Sequence, residues 1–177
     1  GYLKEYRDCT WNDSLGKVFP FPGPVQWHPD AWVGDHGARF IEEVSSGEKP
    51  QFTWISFSGP HYPFDAPQEY YGRVNQDGLP SCRRREGELE DAARIHHDSY
   101  FGGGHIDGCG TAPGHACRNY TEDYWKRLQI SYYANIALID DEVGKILEAV
   151  KKRYGENALV IFTADHGEML GNHGVWG

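Results

Sequence analysis

A chain of 177 residues can form one domain with a real core, because a chain of that size buries roughly 70% of the surface it would expose unfolded. Its 26 acidic and 17 basic residues give a formal charge of -9, so a sustained basic field is missing and no nucleic-acid partner is expected. No apolar run approaches the roughly 20 residues of a membrane span, so no membrane insertion is expected either.

The chain begins "GYLKEYRDCTW", without Met and without a signal-peptide pattern, and is expected to be a piece of a longer protein. Residues 1–29, including "VFPFPGPVQWHP", show neither strand nor helix periodicity and predict irregular, surface-hugging chain. "DAWVGDHGARFIEEVSSG" (30–47) predicts a helix with Asp30 as N-cap and Trp32, Val33, Phe40, Ile41 and Val44 near one face. "QFTWISFSG" (51–59) is rich in β-branched and aromatic residues between Pro50 and Pro60, and predicts a buried strand.

Residues 65–120 are the least regular part. Arg83, Arg84 and Arg85 are followed at once by Glu86, Glu88, Glu90 and Asp91, which reads as a solvated face. "HHDSYFGGGHIDGCGTAPGHAC" (96–117) crowds Gly, His and Cys without an apolar repeat, and a loop of that length is functional or disordered. From Thr121 to Gly155 comes the strongest helix: Thr121 caps it, Trp125, Leu128, Tyr132, Ile136, Ile139, Val143, Ile146, Leu147 and Val150 form a stripe, and Lys151, Lys152 and Arg153 suit its negative end. "ALVIFTAD" (158–165) then predicts a doubly buried strand.

Strand, loop, helix and strand in that order predict an α/β fold, a mostly parallel sheet flanked by helices. Ligands of such sheets bind beyond the carboxyl ends of the strands, and parallel strands would deliver His61, Asp165 and His166 to one edge. A carboxylate beside an imidazole suits zinc or manganese, and the carboxylate also suits calcium or magnesium. Two ligands are too few, so others are expected from His96, His97, His105 or Asp107, or from chain beyond these residues. Simpler roles stand beside these: Asp165 as a cap of a helical turn, His61 as a group fixing a backbone carbonyl, and His28 and His36 as structural residues. The four cysteines Cys9, Cys82, Cys109 and Cys117 lack C-x-x-C spacing and form either two disulfides or small apolar packing groups.

Three stretches together carry a family pattern: "SFSGPHYPFDAP" (56–67), "YYANIALIDDEVGKIL" (132–147) and "VIFTADHGEMLGNHGVWG" (160–177). In this order they resemble the central part of a sulfatase domain, within the alkaline phosphatase superfamily. The resemblance implies one partial domain over 1–177, with 72–120 as a variable, substrate-side loop. It implies that Asp165 and His166 are metal ligands, that His61 contacts the sulfate and the leaving-group oxygen, and that His173 is a second catalytic histidine near that pocket. The metal implied is Ca2+ ahead of Mg2+, Mn2+ or Zn2+, and the activity is hydrolysis of a sulfate ester, on a sulfated carbohydrate or other small molecule. The nucleophile implied is a formylglycine made in a C/S-x-P-S-R motif, and none of the four cysteines sits in one. A phosphodiesterase or phosphonate monoesterase of the same superfamily is the nearest alternative. A non-catalytic glycan-binding relative using Trp27, Trp32, Tyr62 and Tyr100 is another. A periplasmic or secreted location is favoured over the cytoplasm, and the oligomeric state is not indicated.

Overall fold

The computed structural model describes residues 18–44, 49–101 and 116–175. Cys9, His105, Asp107 and Cys109 lie outside them. Among the described residues there are four α-helices: α1 (Pro29–Glu43), α2 (Gln68–Tyr71), α3 (Arg94–Phe101) and α4 (Glu122–Tyr154). No helix among the described residues is long and apolar enough to cross a membrane.

α4 is the axis of the molecule. The Thr121 hydroxyl accepts the Tyr124 N–H, Glu122 and Asp123 sit at the positive end, and Lys151, Lys152 and Arg153 sit at the negative end, so both termini are satisfied as expected. Gly155 closes it with φ of 56°, a backbone setting that glycine adopts without a Cβ penalty. The buried face is displaced from the predicted stripe. Trp125, Leu128 and Ile139 are inside, but Ile136 and Leu147 are exposed, and Tyr124, Gln129, Ser131, Ala134, Asn135, Leu138, Glu142 and Ala149 are buried instead.

α1 runs parallel to α4, because its contacts climb both helices together: Gly34 meets Glu142, Asp35 pairs with Lys145, Glu42 with Lys152, and the Val44 carbonyl accepts from Arg153. The axes approach closely at Gly34, where an added Cβ would lie 2.2 Å from a Glu142 carboxylate oxygen. The buried face of α1 is accordingly small and polar (Asp30, Ala31, Gly34, Gly37, Ile41), while Trp32 and Phe40 of the predicted face are about half exposed. His28, rather than Asp30, caps the helix: its Nδ1 accepts the Asp30 N–H.

The expected parallel sheet is not present among the described residues. The ladder is limited to two isolated parallel bridges, Val18 with Phe64 and Phe21 with Pro67. Residues 51–59 are extended and run back along the α1–α4 groove: Gln51 reaches Tyr154, Ile55 faces Gly37, and Gly59 lies against Asp30 and Ile139. Only one face of this segment is covered, since Phe52 and Trp54 are exposed. Residues 158–164 are exposed throughout, with Leu159 87% and Phe162 76% accessible. Neither segment is the buried strand its composition predicts. The physical reason is that alternation and β-branching favour extended backbone locally, whereas a sheet also needs a second strand about 4.8 Å away in register, which these two segments do not supply to each other.

Two apolar clusters line α4. One holds Ala31, Ala66, Tyr70, Ala134 and Leu138; the other holds Phe64, Cys117, Tyr124, Trp125 and Leu128. Cys117 serves there as a buried apolar group, and burial pushes the half-buried Cys82 thiol up.

Candidate active site

The turn after residue 59 carries the first candidate side chain. Phe64 is fully buried, and its carbonyl accepts from the Ser131 hydroxyl at 2.7 Å and from the Phe19 N–H at 3.3 Å, so the far end of the turn is fastened to α4. Between these anchors His61 projects into solvent. Its Nδ1 lies 2.9 Å from the Tyr62 carbonyl, which can only accept, so Nδ1 carries a proton and Nε2 is the outward atom.

Asp165 and His166 end the second extended segment. Asp165 Oδ1 accepts the His166 N–H at 2.9 Å, and His166 Nδ1 donates to the Gly167 carbonyl at 3.1 Å, which leaves His166 Nε2 3.7 Å from Asp165 Oδ2. The His166 N–H bond holds the Asp165 carboxyl below its usual range, and the Gly167 carbonyl with the Asp165 charge pushes the imidazole up. The His61 and His166 rings approach edge to face, with centroids 6.3 Å apart, although 105 residues separate them in sequence (166 less 61). His61, Asp165 and His166 therefore do converge, by way of two exposed chain ends and without a sheet edge.

The pair Asp165 Oδ2 and His166 Nε2 has the chemistry and spacing of two cation ligands. Donors each about 2.4 Å from one ion and at right angles around it lie about 3.4 Å apart. Among the described residues no group of three or more His, Cys, Asp or Glu side chains is arranged to hold a metal. These two thus fit as part of a coordination shell, not all of it. His96 and His97 do not join them: both lie on α3, where His97 stacks against Phe101 and faces Asp98.

Glu168 was not singled out by the sequence. It is half-buried, burial pushes its carboxyl up, and the His61 and His166 imidazoles act on it in the opposite sense. The signal available was its position two residues beyond His166.

His173 stands apart. Gly171 (φ 97°) and Gly174 (φ 73°) turn the chain tightly around it, and side chains there would meet Cys82 and Tyr100. Its own φ is 57°, its N–H donates to the Arg83 carbonyl at 2.7 Å, and its Nδ1 lies 3.1 Å from Glu88 Oε2. With Arg85, Leu89, His96 and Met169 it borders a cleft of about 260 Å³. Leu170 shares the positive-φ setting of this turn, with a φ of 50°.

A sequence model of the sulfatase family matches residues 4–177, nearly the whole chain. This chain belongs to the sulfatase family. It is 26% identical over 165 residues to iduronate 2-sulfatase of Mus musculus, covering 84% of this chain and 27% of that protein. It is 29% identical over 149 residues to an arylsulfatase of Clostridium perfringens, covering 82% and 28%. It is 28% identical over 140 residues to the multifunctional alkaline phosphatase superfamily protein PehA of Trinickia caryophylli, covering 73% and 26%. The chain thus spans little more than a quarter of the length of these relatives.

Proposed function

We propose that this chain forms part of the catalytic domain of a sulfuric ester hydrolase acting on a sulfated carbohydrate. The observation that carries the reading is the convergence of His61 with His166 and its neighbour Asp165. In this reading Asp165 and His166 hold part of a divalent cation site, with Ca2+ the first choice. Such an ion, when bound, screens the sulfate charge and stabilises charge developing in the transition state. His61, with Nδ1–H committed to the Tyr62 carbonyl, acts in its imidazolium form: it gives its Nε2 proton to the departing alcohol oxygen as the sulfur–oxygen bond breaks and is left as the neutral ring. His173 is assigned to the substrate side, since its bonds to Arg83 and Glu88 tie it to the 83–88 loop. The nucleophile, which the family resemblance implies is a formylglycine, lies outside these residues.

The test uses the complete protein that carries this chain. Asp165→Ala is expected to lose bound Ca2+ and p-nitrophenyl sulfate hydrolysis together, the rate by on the order of 10²-fold or more. Full activity with stoichiometric Ca2+ in that variant overturns the assignment. The similarity to PehA favours a second reading, a phosphate-ester hydrolase of the same superfamily. Faster hydrolysis of bis(p-nitrophenyl) phosphate than of the aryl sulfate would put that reading in place of the first.

A further inference from the structure

Asp30 is almost completely buried, yet it is not the helix cap its position suggests. Its carboxylate leaves α1 and reaches the end of the extended segment. Oδ1 accepts the Ser58 N–H and the Gly59 N–H, each at 3.1 Å, and the Ser58 hydroxyl lies 3.4 Å away. Oδ2 lies against Gly59 so closely that an added Cβ would stand 2.3 Å from it. A buried carboxylate with this set of donors is a fixed point, because removing the acceptor leaves two N–H groups without a partner. Two residues further along the chain is His61.

The same helix terminus also lies beside the other side of the turn. With Nδ1 accepting the Asp30 N–H, the His28 ring carries its proton on Nε2, which faces Asp65 Oδ1 at 3.5 Å. His28 and Asp65 are both buried. The stretch 58–65 is thus hydrogen-bonded to the α1 N-terminus at Ser58 and Gly59 and lies beside His28 at Asp65, with the exposed imidazole on the short span between.

We propose that Asp30 is a positioning residue for His61: it fixes the Ser58–Gly59 amides so that the next residues present the imidazole to the His166 side of the site. This rests on the reading of His61 as the proton donor, and two kinds of measurement separate the two ideas. Hydrogen exchange in the complete protein tests placement alone. Asp30→Ala is expected to raise exchange at the Ser58 and Gly59 amides by about tenfold or more while α4 amides stay protected, and Asp30→Asn, which keeps an acceptor oxygen, is expected to restore protection. Unchanged exchange at 58–59 in Asp30→Ala overturns the proposal whatever His61 does.

Kinetics tests the consequence. Asp30→Ala is expected to lower kcat by about 10- to 100-fold on sulfate esters of weakly acidic alcohols, with a smaller loss on p-nitrophenyl sulfate and little change in KM. In a His61→Ala background the same substitution is expected to cost almost nothing further, since a residue that acts through another is non-additive with it. Full additivity, or equal losses across leaving groups with His61→Ala retaining its own leaving-group dependence, overturns the positioning role. If His61→Ala itself shows no leaving-group dependence, the proton-donor reading falls, and the exchange result alone decides whether Asp30 holds the turn.

Discussion

The α1–α4 pair and the two extended segments beside it are built on opposite terms. Both helices carry N-caps, α4 also carries terminal charges of the right sign, and the pair meets at Gly34, where Glu142 leaves no room for a Cβ. The segments 51–59 and 158–164 are as apolar as a core, but they leave Phe52, Trp54, Leu159 and Phe162 exposed. His61 and the Asp165–His166 pair nevertheless stand at the ends of those segments, not on the helices. Stability and chemistry are carried by different parts: a rigid helical frame supplies fixed points such as Asp30 and Ser131, and exposed turns supply the reactive groups.

That division can be broken most severely at Trp125, which is fully buried against Phe64 and Leu128. Trp125→Ala is expected to lower unfolding stability by about 3–5 kcal/mol, read as a fall in the urea midpoint. His166→Ala, at an exposed position on the other region, is expected to change it by less than about 0.5 kcal/mol. Equal losses at the two positions would show that the turns belong to the cooperative core. Gly34→Ala sharpens the same contrast inside the frame. The new methyl would collide with Glu142 and force the parallel helices apart, for an expected cost of about 1–3 kcal/mol. Gly167→Ala, with nothing within 4 Å of the added Cβ, is expected to be nearly neutral.

How much of this was legible follows from the range of the signals. α4 could be read from Thr121 to Gly155 because caps, charges and periodicity all act within a few residues. The burial pattern of α1 could not. Trp32 and Phe40 look like a core face by periodicity, but the partner helix approaches at Gly34, where Glu142 leaves no room for a larger side chain. Asp30 looked like a cap because Asp favours that position, and only the distant amides of Ser58 and Gly59 reveal its other use. The α3 helix was hidden in a stretch whose Gly, His and Ser content argues for loop. The sheet is not borne out: β-branched and aromatic composition in 51–59 and 158–165 predicts strands, but strand pairing is a property of two segments together, and neither segment is a strand. The candidate site residues are legible as residue types at the ends of the two apolar segments. The proximity of the His61 and His166 rings and the tie from His173 to Glu88 required coordinates.

The smallest expected effect lies on α4 itself, where adjacent carboxylates respond to acid in opposite directions. Asp141 takes a two-pronged bond from Arg73 and a hydroxyl from Tyr70, and the Arg73 guanidinium holds its carboxyl below the ordinary value. A folded-state value below the unfolded one means stability that is present above about pH 4 and lost as pH falls through the folded value. Because the pair is well exposed, its worth is below about 1 kcal/mol. Glu142 is buried one residue later, and desolvation pushes its carboxyl up, so folding relative to unfolding improves as pH falls through that raised value. Asp141→Asn should therefore flatten the loss of stability on acidification, and Glu142→Gln should steepen it by removing the compensating group. Urea midpoints measured between pH 3 and pH 7 check both signs, and the same direction of change in the two variants would contradict the opposed environments of the two carboxylates.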